Sequence, residues 1–254
     1  MFDSHAHMDD KRFDEDRQDV LKAAKTAGVN YIVNPGADLN SSIKAVNLAK
    51  ENEMIYAAIG VHPHSAKDYD EETEEALRSL AKEQKVVAIG EIGLDFHYNY
   101  SDKASQRRAF KAQIELSKAL KLPIIIHDRE ANGEVFDILT SYDAQEYGCI
   151  MHCYSGSPEL AQEYVKRGYH ISIAGPITFK NAKKPYEVAK VVPLEQLLIE
   201  TDAPYLAPEP RRGRRNEPLL VRFVAAKIAE AKGITTEEVI RVTEANAKAV
   251  FKIV

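Results

Sequence analysis

Eight short apolar runs punctuate this chain, and most are separated by a stretch with helical spacing of its apolar residues. The runs are residues 1–4, NYIVNPG, IYAAIGVHPH, VVAIGEIGLDFHY, LPIIIHDRE, GCIMHCYSGS, YHISIAG and LEQLLIETDAPYLAP. Between the first two, DEDRQDVLKAAKTAG puts Val20, Leu21, Ala24 and Ala27 on one helical face, and Gly28 ends it. SSIKAVNLAKEN spaces Ile43, Val46 and Ala49 or Lys50 likewise, and Pro158 follows Ser157 as a capped helix start. KKPYEVAKVV, between the seventh and eighth runs, reads as weakly helical at best. Several runs are apolar throughout rather than alternating, as in strands covered on both faces. This rhythm predicts parallel βαβ units. The alternative is an open doubly wound sheet, but no GxGxxG follows the first run. The expected fold is α/β, a single (β/α)8 TIM barrel with C-terminal helices, and 254 residues suit one such domain over residues 1–254.

In such barrels reactive groups project from the C-terminal ends of several strands. Six of the eight runs here close on metal-capable side chains: His5 and His7, His62 and His64, Glu91, His127, His152 and Asp202. His5 and His7, at i and i+2 of an extended segment, point the same way. A lone carboxylate at a strand end is costly to desolvate, and a cation at Glu91 or Asp202 offsets that cost. Metal ligands are therefore expected among His5, His7, Glu91, His127, His152 and Asp202. Glu91 has two oxygens to share, and Asp202 is placed to hold or deprotonate an attacking water. Asp3 is expected to orient a ligand histidine through its ring N–H, Asp95 to shape the loop around Glu91, and Glu200 to stand behind the ligands. His62 either meets a substrate phosphate or packs structurally, with His64 beside it; His97 is at the rim or the surface. His170 begins a strand and reads as structural.

Basic residues point to the substrate. Arg129, two residues beyond His127, offers a bidentate fork to phosphate. RRGRR, residues 211–215, follows Asp202, and Lys180, Lys183 and Lys184 leave the seventh run; they are solvated surface charge or a polyanion patch, with Phe179 or Tyr205 to stack on a base. The formal net charge of -5 argues against a non-specific nucleic-acid coat but permits local positive ground. Two cysteines, Cys149 and Cys153, are too few and too close for a disulfide framework, which suits a reducing compartment. No apolar stretch is long enough to span a bilayer, and no signal peptide is expected before His5. A soluble, cytoplasmic protein follows. A closed sheet leaves no edge needing a partner, so a monomer is expected.

Taken together, DSHAH at 3–7, GVHPH at 60–64, GEIGLDF at 90–96, HDREA at 127–131, HCYSGS at 152–157, TDAPYLAP at 201–208 and NEP at 216–218 closely resemble the TatD-type metal-dependent deoxyribonucleases, amidohydrolase-like barrels. The motifs run in order over essentially the whole chain. The resemblance implies one ion among His5, His7, Glu91 and Asp202, and a second among Glu91, His127 and His152. It also implies hydrolysis of DNA phosphodiesters, with exonuclease action on strand ends or single strands. His97 and Tyr154 depart from residues common in the family, without removing a ligand.

The expected chemistry is attack of a metal-activated water on phosphorus, with Asp202 and Glu91 catalytic and Arg129, His62 and His64 on the phosphate. Two divalent ions are implied, magnesium, manganese or zinc; imidazole ligands favour zinc, manganese or iron, whereas a phosphoryl substrate admits magnesium. One rival is a small-molecule amidohydrolase or phosphoesterase. Many such barrels bridge their metals with a modified lysine, and VVAIGE has none. The other rival is a non-enzymatic barrel with a structural metal site and a basic loop that docks a partner.

Overall fold

The structure, a computed structural model, describes residues 1–98 and 100–254. Among them the chain forms β1 (Phe2–Asp3), α1 (Arg17–Thr26), β2 (Tyr31–Pro35), α2 (Leu39–Glu51), β3 (Ile55–Ile59) and α3 (Glu71–Leu80). It continues with β4 (Val86–Asp95), α4 (Lys103–Leu120), β5 (Ile124–Arg129), α5 (Asn132–Ser141), β6 (Cys149–Met151) and α6 (Pro158–Lys166). The last elements are β7 (His170–Ile173), α7 (Lys183–Val191), β8 (Leu197–Ile199), α8 (Val221–Lys232) and α9 (Thr236–Phe251). Strand order in the sheet is strand order in the chain, the connectivity expected of a (β/α)8 sequence. The residues group into two compact units: Met1–Asn34 with Cys153–Ala249 and Val254, and Pro35–His152 with Val250–Ile253.

In the first unit the segment after β1 is held on both sides. Ala6 N–H donates to Val33 O at 3.0 Å, next to β2. On the other side Ser4 N–H donates to Ile199 O (3.1 Å), Asp202 N–H to His5 O (2.9 Å) and His7 N–H to Ala203 O (2.7 Å). These bonds fix the level of His5 against that of Asp202, nearly two hundred positions later in the chain. Phe2, Ile32, Ile171 and Leu198 from the strands and Val224 and Ile228 from α8 are buried around this frame. Burying each such side chain contributes about 1.5–3 kcal/mol.

KKPYEVAKVV, expected to be weakly helical at best, supplies the whole of α7 in its first nine residues. Pro185 is its third residue, within the first turn, where a backbone N–H has no intrahelical partner to lose. Val188 and Ala189 are its buried side.

In the second unit β3, β4, β5 and β6 pair in parallel. On α2 the buried positions are Ser42, Ala45, Val46 and Ala49, while Ile43, expected on that face, is 41% exposed. The face is turned toward the small residues because Ser42 hydrogen-bonds Gly60 at the end of β3, donating to its O and accepting from its N.

Glu91, expected at a strand end, lies inside the ten-residue β4. Between Ile89 and Ile92, β4 advances three residues while β5 advances from Ile124 to Ile126. A bulge of this kind re-aims a side chain without ending the strand, and Glu91 sits in it. Past the bulge, Gly93 has φ +145°, and a Cβ there would meet His127 O at 2.0 Å. Only glycine lets β4 pass this close to the backbone of His127.

Helix α4 ties two strand ends in place with amides. Gln113 accepts from Val61 N–H (2.7 Å) and donates to Val61 O (3.0 Å). One heptad earlier, Gln106 accepts from Asp95 N–H (2.9 Å) and donates to Asp95 O (3.0 Å). Both are fully buried. Gln113→Leu keeps the volume but strands the N–H and C=O of Val61. We expect it to lower stability by about 1–3 kcal/mol in urea unfolding; an unchanged midpoint would show that the clamp contributes nothing.

Candidate metal centre

The first unit gathers His5, His7 and Asp202. The two Nε2 atoms approach to 3.2 Å, and Asp202 Oδ1 is 3.9 Å from His5 Nε2 and 3.6 Å from His7 Nε2. His5 is fully buried, whereas His7 and Asp202 are partly open. Asp202 has φ +57°, a left-handed conformation uncommon for a residue with a Cβ. The strained geometry turns the carboxylate at the end of β8, and the bond from Asp202 N–H to His5 O secures it.

Behind these groups lies a polar layer with few loose ends. Asp3, expected to support a ligand ring, instead binds Thr201, at 2.9 Å to its N–H and 2.6 Å to its hydroxyl. The backbone N–H of His5 also points to it, at 3.4 Å. Burial pushes the Asp3 carboxyl up to about 8, against the pull of those hydrogen bonds. Glu200 belongs to the same buried layer. It is fully buried and accepts from Ser172 Oγ (2.6 Å), Ser4 Oγ (3.4 Å) and Cys153 N–H (2.7 Å).

The second unit gathers three imidazoles about one carboxylate oxygen. Glu91 Oε1 lies 2.7 Å from His127 Nδ1, 3.6 Å from His62 Nε2 and 3.7 Å from His152 Nε2. Glu91 is 4% exposed. His62, Glu91 and His127 bring ligand atoms close enough to share an ion, as do His5, His7 and Asp202 in the first unit. Nitrogen donors in these sets suit zinc and the carboxylate oxygens also admit manganese, so the buried His, Glu and Asp groups are consistent with a metal site, with His62 rather than His152 grouped with Glu91 and His127.

Asp95 matters more than its sequence context suggested. Its Oδ2 is 2.8 Å from His64 Nε2 and 3.1 Å from His127 Nε2, while Oδ1 accepts from the N–H groups of His97 and Tyr98. Burial works to raise this carboxyl, but the bonds from His127, Tyr98 and His64 hold it well below the usual carboxylate range. His127 thus has a carboxylate at each ring nitrogen, and both nitrogens can donate only in the imidazolium. Burial opposes that charge, yet Asp95 and Glu91 outweigh it and hold His127 up at about 9. His62 goes the other way: burial, with the neighbouring charge of His127, keeps it well below its usual range and neutral.

The remaining expected residues are at the periphery. Arg129 is exposed, its guanidinium 4.7 Å over the Tyr98 ring. Tyr98 and Tyr100 stack at 5.5 Å, and the His64 ring meets both edge-on. His97 is surface-lying and bonded to Glu130 at 2.7 Å. Tyr205 faces His7 edge-on at 6.0 Å and is covered by Arg12; Phe179 is covered by Arg212. The glutamines of α4 and the branching of Asp95 went unread. The signal for the glutamines is a pair of amides seven apart on the helix face that also carries Ala109, Phe110 and Ile114.

A family model described as TatD related DNase matches residues 2–252. The chain is 47% identical over 253 residues to "Uncharacterized metal-dependent hydrolase YabD" of Bacillus subtilis, covering 100% of this chain and 99% of that one. It is 36% identical over 258 residues to "3'-5' ssDNA/RNA exonuclease TatD" of Citrobacter koseri, again covering 100% and 99%. Among solved structures, YJJV, a TatD homologue from Escherichia coli K12, superposes with a TM-score of 0.94 at 30% identity over 100% of this chain and 98% of that one. An uncharacterized amidohydrolase from Saccharomyces cerevisiae shares the fold with a TM-score of 0.83 at 20% identity over 98% and 99%. The fold is TIM-barrel-like, of the amidohydrolase kind, as the sequence leads one to expect. No helix among the described residues is long and apolar enough to cross a membrane.

The protonation of His127 has a measurable consequence. With its folded value raised to about 9, its pairing with Glu91 and Asp95 stabilises the metal-free fold fully below about pH 6.5 and is lost as pH rises through about 9. A cation on this nitrogen replaces a proton. Calorimetric titration with zinc or manganese near pH 7, in buffers of different ionisation enthalpy, is expected to show release of about one proton at this site, diminishing above about pH 9. Uptake without proton release would contradict the assignment.

Proposed function

The chain belongs to the TatD-related DNase family of metal-dependent hydrolases, and from that premise we propose that it hydrolyses phosphodiester bonds of single-stranded DNA from a strand end. The observation that carries the reading is the crowding of His62, His127 and His152 around one buried oxygen of Glu91 in the second unit; the first unit has a donor set of its own in His5, His7 and Asp202. Divalent cations at these donors supply a water nucleophile at neutral pH and offset charge on the phosphoryl oxygens.

The chain's own groups have separate tasks. Asp202, partly open and set by its left-handed backbone, orients the attacking water and accepts its proton. Glu91, with its two oxygens, serves as ligand and as the anchor for His127. Arg129 makes no ion pair among the described residues, so its N–H fork is available to a nonbridging phosphate oxygen while Tyr98 supports its plane. His62, kept neutral by burial, stands with Glu91 and His127 as a donor for a cation and adds no repulsion toward it. His64 is held by Asp95 and approaches the phosphate only with its ring edge fixed by that bond. The 3'-5' ssDNA/RNA exonuclease of Citrobacter koseri, a relative, supports DNA or RNA single strands as substrate, attacked from the 3′ end.

The test uses purified protein, end-labelled single-stranded oligonucleotide and added magnesium, manganese or zinc. Mononucleotides are expected to leave one end progressively, and chelation is expected to stop the reaction. Asp202→Asn, nearly isosteric, is expected to lower kcat by about 100-fold or more, and unchanged turnover would remove its assigned role. Absence of phosphodiester cleavage with every metal would refute the nuclease reading itself.

A further inference from the structure

The four arginines of RRGRR do not behave alike. Arg212 lies 4.1 Å over the Phe179 ring. Arg215 is structural: it bonds both oxygens of Asp16 (2.8 and 2.6 Å), Glu217 (2.9 Å) and the carbonyl of Arg12 (2.6 Å). Arg211 and Arg214 are exposed and make no ion pair among the described residues; nor does exposed Arg222, from the first turn of α8. These three meet Arg215 and Glu217 around one cleft of about 410 Å³. Counting Asp16 and Glu217, both bonded to Arg215, four arginines against two carboxylates leave two positive charges in excess.

The cleft is anchored to the end of β8. Asn216, fully buried, donates from Nδ2 to Thr201 O (2.8 Å) and Tyr205 O (2.7 Å), and its N–H reaches Pro204 O (3.1 Å). The arginine loop is therefore tied to the backbone on either side of Asp202. Like charges drawn into one concavity repel unless an anion joins them. Guanidinium, rather than ammonium, at every cationic position favours an oxyanion that accepts two parallel N–H bonds. The volume falls in the range of small-ligand pockets, about 300–1,000 Å³. Its lining includes leucines but no aromatic ring, so it offers phosphate contacts and no platform for a base. That combination suits a sugar-phosphate backbone passing through better than a free nucleotide held by its base.

We propose that Arg211, Arg214 and Arg222 form a secondary phosphate site, separate from the metal ligands, that holds the backbone of a single strand without reading its sequence. The proposal builds on the nuclease reading above but is tested by binding alone. Metal-free protein is titrated into a fluorescent oligothymidylate of roughly a dozen nucleotides, followed by anisotropy at several salt concentrations. Arg211→Ala, Arg214→Ala and Arg222→Ala combined are expected to weaken binding at least tenfold at low salt. They are also expected to flatten the slope of log K against log salt by about two, since each phosphate contact on a single strand contributes about 0.7. Replacing the same three with lysine is expected to keep most of the slope, which separates lost charge from lost folding. Equal affinity and slope in the alanine variant, or no strand binding by the unaltered chain, would overturn the proposal. Full displacement of the strand by equimolar mononucleotide or by inorganic phosphate would also overturn it, because the site would then belong to a small anion. Arginine-dependent strand binding by a chain that cleaves no phosphodiester would leave this site standing and refute the nuclease reading alone.

Discussion

Three imidazoles crowd one carboxylate oxygen in this protein: Glu91 Oε1 has His127 at hydrogen-bond distance, 2.7 Å, and His62 and His152 at 3.6 and 3.7 Å. Burial makes the arrangement costly: a desolvated carboxylate needs compensation, and so do nitrogen lone pairs turned toward one another. A proton on His127, held by Glu91 on one side and Asp95 on the other, supplies part of it. A divalent cation meets the same requirement with more charge and accepts from several donors at once. The cluster is thus better matched to an ion than to a proton, and much of the second unit is arranged to keep it in place.

That arrangement is made by backbone geometry and buried amides rather than by the ligands. The bulge in β4 turns Glu91 out of the strand's regular alternation, and Gly93 lets β4 and β5 approach at His127. Gln106 and Gln113, on one face of α4, hold the ends of two strands through paired hydrogen bonds. In the first unit Asp3 and Glu200 play a comparable part, fixing Thr201, Ser4, Ser172 and Cys153 around His5 and Asp202. Removing such a group is expected to harm positioning as much as stability, because ligand placement and buried-group satisfaction share the same bonds.

Most of the candidate metal donors stand out in the sequence because each follows an apolar run, and apolar runs in βαβ rhythm locate strands well. The sequence is less informative about how they are aimed. Glu91 reads as a strand end because it closes an apolar run; the bulge, a register property between two strands, leaves no mark in one of them. Asp95 reads as a loop former in GLDF, and its Oδ1 does hold the turn through the N–H groups of His97 and Tyr98, but its Oδ2 meets His64 and His127 from 31 and 32 residues away. Pro185 and its lysine neighbours obscured α7, since a first-turn proline resembles a breaker until the helix boundary is known. Arg222 was hidden for a further reason: on α8 it reads as a solvated helix residue, and only the fold brings it to the loop of Arg211 and Arg214.

The most direct test of the central claim is the divalent-metal content and affinity of the chain, measured by elemental analysis and calorimetry on the unaltered protein and on Glu91→Gln. The account predicts tight uptake near neutral pH and a large loss of affinity in the variant, with the fold preserved by circular dichroism. Equal affinity in the two proteins, or no uptake by the unaltered chain, would contradict it.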